Sequence, residues 1–127
     1  MGKVLILDDE EDIGLALADG FEYSGHALPD VVTQAEKAMT MLKDNNYALA
    51  VIDAKLSGKI SGIEVIRYCR ELNPRPKIFA MSGITKTNLK DLLTDEGVID
   101  LVDRILEKPV DIQPKEFVNL LSKMGII

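Results

Sequence analysis

The sequence predicts an α/β fold in which a parallel sheet is covered by helices on both faces. Three observations carry this. Strand-like apolar runs alternate five times with helix-like stretches along the chain. Two of the runs, Val4-Leu5-Ile6-Leu7 and Leu49-Ala50-Val51-Ile52, are apolar at every position, as strands buried on both faces are. Each of those two runs ends directly on acid, Asp8 and Asp9 after the first and Asp53 after the second.

In chain order, the first strand covers Val4 to Leu7. Ile13, Leu15, Ala16, Leu17, Ala18 and Phe21 then form a helical apolar stripe that stops at Tyr23-Ser24-Gly25-His26. Ala27 to Val32 is a weaker strand, and Pro29 inside it points to a sheet edge. Thr33 and Glu36 have the spacing of a capping box, opening a second helix that runs to about Asn45 with Met39 and Met41 as packing residues. Asn45-Asn46 marks a turn before a strand from Tyr47 to Ile52. A glycine-containing loop, Ser57 to Gly62, leads to a second capping box at Ser61 and Glu64. Ile63, Ile66 and Cys69 share one face of the third helix, which Pro74 and Pro76 end. Lys77 to Met81 reads as the fourth strand, closing at Ser82-Gly83, and Asn88 to Leu93 as a fourth helix. Arg104-Ile105-Leu106 is a short fifth strand, and Phe117-Val118 with Leu120-Leu121 marks the last helix.

The 127 residues suit one domain, 1–127, with a core of ordinary size. With 46% apolar and 28% charged residues the composition is that of a globular protein, and no apolar stretch approaches the ~20 residues of a membrane span. Met1-Gly2-Lys3 runs straight into the first strand, so no leader is expected and cytoplasmic residence is the default. Twenty-one acids against fifteen bases leave a net charge of −6, which disfavours direct nucleic-acid binding. The single cysteine, Cys69, is expected in the core, not as a nucleophile. Ser57-Gly58-Lys59 invites a phosphate-loop reading. The motif fails, because Asp53 stands five residues before Gly58 and Ile60 follows Lys59.

Parallel sheets bind ligands beyond the carboxyl ends of their strands, where strand order reverses. If the first and third strands are neighbours, Asp8, Asp9 and Asp53 converge. Three carboxylates that close need a cation or a raised pKa, and a hard, oxygen-preferring metal such as Mg2+ answers the need. Two further strand ends, Ser82 and Lys108-Pro109, would face the same place. An acid pair, a third acid, a hydroxyl and a lysine suit phosphoryl transfer: metal and ammonium neutralise phosphoryl oxygens, Ser82 donates a hydrogen bond, and Asp53 supplies the nucleophilic carboxylate.

In these residues the chain resembles the receiver domain of two-component response regulators over essentially its whole length. The matching pieces are Asp8-Asp9, Asp53 as phosphoacceptor, Ser82, Lys108-Pro109, and Ser61-Gly62-Ile63-Glu64 opening the third helix. The resemblance implies a flavodoxin-like (βα)5 fold with strand order 2-1-3-4-5 and a cis peptide between Lys108 and Pro109. It implies direct Mg2+ ligation by Asp9, Asp53 and the backbone carbonyl of Lys55, with Asp8 acting through water. It implies a signalling switch, with self-catalysed transfer and slow autodephosphorylation, that takes its phosphoryl group from a sensor histidine kinase or phosphotransfer protein. The expected output face is the surface of the fourth helix, fifth strand and fifth helix, with homodimerisation on phosphorylation and a downstream effector or output domain as its uses. No output domain follows Ile127, so a stand-alone regulator or an excised module is expected. Lys55 and Ile84, two residues after Asp53 and Ser82, occupy places that tune water access to the phosphoryl group.

Three departures from the family pattern stand out. Serines at 57 and 61 replace the usual proline four and glycine eight residues after the phosphoacceptor, with Gly62 one place later, an extra residue in this loop. Ile105 holds the place of the aromatic switch residue three before the lysine and cannot swing a ring. Lys108 stands eleven positions after Gly97, more than usual, so a longer or irregular fourth helix is expected. The first two keep a phosphorylation-independent adaptor in view. A metal-dependent phosphohydrolase with an aspartate nucleophile is the other rival, but it would want an acid at position 55, which is lysine.

Overall fold

In a computed structural model, residues 2–58 and 60–127 are described; Lys59, the lysine of the failed phosphate-loop motif, lies outside them. The described residues form strands β1 (Val4–Leu7), β2 (Asp30–Val32), β3 (Leu49–Asp53), β4 (Lys77–Ser82) and β5 (Arg104–Glu107), all parallel and ordered β2-β1-β3-β4-β5. Between and after them lie helices α1 (Glu11–Tyr23), α2 (Ala35–Asp44), α3 (Gly62–Tyr68), α4 (Lys86–Asp95) and α5 (Pro114–Lys123). This is the flavodoxin-like order that the resemblance implied.

The alternation of side chains along each strand splits the core into two layers. Leu5, Leu7, Ala50, Ile52, Ile78 and Ala80 face α2, α3 and α4, packing with Ala38, Leu42, Ile66, Leu89 and Leu93. Val4, Ile6, Leu49, Val51, Phe79 and Met81 face α1 and α5, meeting Leu17, Phe21, Phe117 and Leu121. Both faces of the central strands are therefore dry, which is why β1 and β3 read as continuous apolar runs. Ile63, Ile66 and Cys69 are all buried as the stripe predicts, but α3 itself ends at Tyr68 and Cys69 opens a 3-10 turn, Cys69–Glu71, ahead of the prolines.

Several local expectations are corrected. The second strand is only Asp30–Val32; Pro29 precedes it, and it pairs with β1 alone at the sheet edge. The Thr33–Glu36 capping box does not form: α2 starts one residue later, with Gln34 at its cap and no side-chain cap bond. The Ser61–Glu64 box forms by half. Ser61 Oγ accepts from the Glu64 amide at 3.3 Å, while the Glu64 carboxylate turns to Arg67 instead. The long segment from Gly97 to Lys108 does not extend α4. It folds as a 3-10 turn, Ile99–Leu101, held by Arg70, whose guanidinium donates to both carboxylate oxygens of Asp100 at 3.0 and 3.1 Å and to the Gly97 carbonyl at 3.2 Å.

Candidate functional site

Strand register builds the site. Leu7 of β1 stands beside Ile52 of β3, so the next residues, Asp8 and Asp53, emerge together; Asp53 in turn faces Met81, and Ser82 faces Glu107, so Ser82 and Lys108 close the group from the other side. Backbone bonds continue the ladder past the strands: the Asp8 amide donates to Val32 at 3.1 Å, Ala54 to Met81 at 2.9 Å and Lys108 to Ser82 at 2.8 Å. Asp8, Asp53 and Ser82 are the buried polar side chains of the described core, at 1%, 3% and 2% exposure.

Lys108 is the centre of the arrangement. Its ammonium donates to Asp53 Oδ2 at 2.8 Å and to Asp8 Oδ2 at 2.9 Å, with Glu10 at 3.5 Å. The remaining Asp53 oxygen accepts from the Lys55 amide at 2.9 Å, and Asp8 Oδ1 accepts from Glu10 at 2.9 Å. Burial pushes against the charge on Lys108, yet the bonds to Asp53 and Asp8 outweigh it and hold the ammonium protonated above the ordinary lysine range. Burial likewise raises the Asp53 pKa, against the lowering pull of Lys108 and the Lys55 amide. Asp9 is partly exposed and sits below the usual carboxylate range, because the Ser57 amide and then its hydroxyl donate to it.

Asp8, Asp9 and Asp53 each offer a carboxylate oxygen within 4.8 Å of the others. All-oxygen donors, anionic and converging, are the chemistry a hard divalent cation selects, so the residues fit Mg2+. Lys55 lies on the loop after β3, with its amide turned to Asp53. A depression of about 360 Å³ opens over the group, lined among others by Asp9, Asp53, Lys55, Ser82, Ile84 and Lys108. The Lys108–Pro109 peptide is cis. The predicted site residues are thus brought to one place. Ile105 is half-buried on β5 against the α4 side of the core, and the Cys69 thiol is fully buried, its pKa pushed up to about 12 by burial.

A scan against family models matches residues 4–120 to the response regulator receiver domain. The chain belongs to this family. Receiver domains are signalling switches, and this one shares 27% identity over 108 residues with the uncharacterized transcriptional regulatory protein YkoG of Bacillus subtilis (strain 168). That alignment takes in 84% of this receiver domain but 46% of YkoG, so the chain spans about half the length of that relative. Among solved structures, the receiver domain of Francisella response regulator 1452 is 26% identical with a TM-score of 0.77, covering 98% of this chain and 99% of that one. The CheY-like receiver domain from Methylobacillus flagellatus is 25% identical with a TM-score of 0.76, covering 98% of each. For the fold alone, response regulator TrrA from Thermotoga maritima, solved with Mg(2+)-BeF, agrees at a TM-score of 0.75 and 24% identity over 98% of this chain and 99% of that one.

Sequence reasoning missed one member of the site. From sequence, Ser57 stands out as part of a failed phosphate-loop motif and as the residue in place of a proline, whereas in the structure its amide and hydroxyl both bond Asp9 Oδ2, at 3.0 and 2.8 Å. The signal was present in part: a residue able to donate twice replaces one that cannot donate. Its target, 48 residues away, is fixed only by the fold.

Proposed function

We propose that this receiver domain is a phosphoacceptor switch of a two-component system, taking a phosphoryl group onto Asp53 from a phosphohistidine of a sensor histidine kinase or phosphotransfer protein. The observation that carries the reading is the Lys108 ammonium bridging Asp53 and Asp8 at 2.8 and 2.9 Å inside a three-carboxylate cluster. A carboxylate oxygen of Asp53 attacks phosphorus; the new O–P bond forms as the P–N bond to imidazole breaks, and the imidazole nitrogen leaves with the electron pair. Lys108 lies within reach of the developing charge, and Ser82, buried at the end of β4, offers a hydroxyl on the same side. Mg2+ held by Asp8, Asp9 and Asp53, with the Lys55 carbonyl, would neutralise phosphoryl oxygens.

Acyl phosphate at Asp53 would turn the Ser82 hydroxyl and Lys108 toward it and shift a pre-existing conformational equilibrium of the α4-β5-α5 face. That face is then the site for a downstream effector, an output domain or a second copy of the chain. Action in the cytoplasm by a single domain, 1–127, belongs to the same reading. Among the described residues no helix is long and apolar enough to cross a membrane. Incubation with Mg2+ and a small phosphodonor such as acetyl phosphate should add one phosphoryl group by mass spectrometry, and Asp53→Asn should add none. Undiminished acyl phosphate on that variant would sink the assignment. Failure of the wild-type chain to label would favour the phosphorylation-independent adaptor.

A further inference from the structure

We propose that Ser57 is a positioning residue for the metal, clamping the Asp9 carboxylate at the mouth of the acid cluster before a cation arrives. The inference rests on the phosphoacceptor reading, whose divalent cation is the ligand concerned. Lys108 restrains Asp8 and Asp53, whereas Asp9 is partly exposed and takes its restraint from across the site. The Ser57 amide donates to Asp9 Oδ2 at 3.0 Å and the Ser57 hydroxyl donates to the same oxygen at 2.8 Å. Both bonds are charge-assisted, and together they tie the loop after β1 to the loop after β3.

Three consequences follow for a cation. The two donors offset part of the repulsion among carboxylates gathered within 4.8 Å, so the cluster stands assembled. A side chain fixed in advance no longer has rotamer freedom to lose on binding. The clamp also engages one oxygen of Asp9 and leaves the other outside it. Carboxylates that ligate metals are characteristically held by such outer partners, and losing one commonly weakens the metal about 10- to 100-fold. A proline at position 57, the residue the family pattern leads one to expect, could make neither bond. The clamp is therefore a property of this chain's own loop.

The test is a Mg2+ titration of the metal-free full chain, followed by amide chemical shifts at fixed pH and ionic strength. Ser57→Ala keeps the amide and loses the hydroxyl, so its affinity should fall about tenfold, the lower end of that range. Ser57→Thr, which keeps the hydroxyl, should bind as the wild type does. In EDTA, Ser57→Thr should melt with the wild type and Ser57→Ala only slightly below it, by the loss of one exposed hydrogen bond, so that both variants stay folded throughout the titration and metal positioning is separated from unfolding. Equal or tighter Mg2+ binding by Ser57→Ala would overturn the clamp, as would a Ser57→Thr variant no better than Ser57→Ala. No Mg2+ binding by the wild type would overturn the parent reading instead, so the two failures are distinguishable.

Discussion

Lys108 is 10% exposed at its side chain and stands against two acids exposed by 1% and 4%, so each of the three is tolerable only because the others are there. Truncating one partner of such a group leaves buried charge uncompensated, a cost of about 3 kcal/mol. Lys108→Met should therefore lower the metal-free chain's stability to denaturant by about that amount, and added Mg2+ should recover part of it, because a cation again faces Asp8 and Asp53. An unchanged urea midpoint would mean that water already screens the acids. On the proposed reading, Ile84 bears on the lifetime of the acyl phosphate. It is half-buried at the rim of the depression over Asp53 and Ser82, where its side chain can shield a phosphoryl group from attacking water. Ile84→Ala should shorten the half-life of the acyl phosphate measured after removal of donor; slower decay in the variant than in the wild type would refute the shield. At this scale the sequence was most informative where a residue ends a strand. Asp8, Asp53, Ser82 and Lys108 could be placed from their neighbours, since an apolar run tells where the backbone stops being buried. Ser57 could not, because its value depends on a contact between two loops rather than on its own neighbours.

Between elements, the glycine with the least room for a side chain lies directly behind Asp53. A Cβ added at Gly62, the first residue of α3, would sit 1.7 Å from the Asp53 carbonyl oxygen and 2.9 Å from Ala54 Cα. These are backbone atoms of β3 and its loop, with no flexible end to give way. Gly62→Ala should thus push α3 off the strand that carries the expected phosphoacceptor, destabilising the chain by about 3 kcal/mol and impairing labelling, whereas Ser61→Ala beside it should cost about 1 kcal/mol as an ordinary lost cap. On the other side of the site, Asp111 ties β5 to α4: its Oδ2 accepts from the Glu107 amide at 2.8 Å and pairs with Lys86 at 3.0 Å. The Glu107 amide, and then Lys86, hold its pKa below the ordinary carboxylate value. A depressed folded pKa contributes stability that is present above the unfolded value of about 3.9 and disappears as pH falls through the folded one. Asp111→Asn should accordingly be less stable than the wild type by about 1 kcal/mol at pH 7, and the difference should close below pH ~4; a gap that persisted in acid would point to packing, not charge. Elements were legible in the sequence where periodicity extended over several turns or strand positions, as in α1, β1 and β3. The α2 cap was misplaced because local rules favour Thr33 over Gln34 as a cap, whereas the helix that buries Ala35 and Ala38 opens after Gln34 without a side-chain cap bond.

For the molecule as a whole, the five-fold alternation of strand and helix left few arrangements open, and the order β2-β1-β3-β4-β5 turns a local pattern into a site. The chain leaves β1 toward β2 on one side and returns past it to β3 on the other, so the loops after β1 and β3 diverge and open a crevice between them. Sequence alone supplies the acids but not their convergence, which needs strand order and register together. Because the triad spans two strand ends and Lys108 a third, anything that binds there is linked to the cooperative unfolding of the sheet. A ligand that binds only the folded chain stabilises it by RT ln(1 + [L]/Kd), about 2.7 kcal/mol at a hundredfold excess over Kd, or roughly 10 °C for a domain of this size. Thermal scans at rising Mg2+ should show that increase in Tm and a plateau-free logarithmic climb beyond Kd, whereas Na+ at matched ionic strength should produce neither. Asp9→Asn should flatten the climb without greatly lowering the metal-free Tm, since Asp9 is partly exposed and an asparagine oxygen can still accept the Ser57 bonds. A Tm indifferent to Mg2+ would mean that the Lys108 ammonium alone answers the charge of the cluster, leaving no work for a metal at the strand ends.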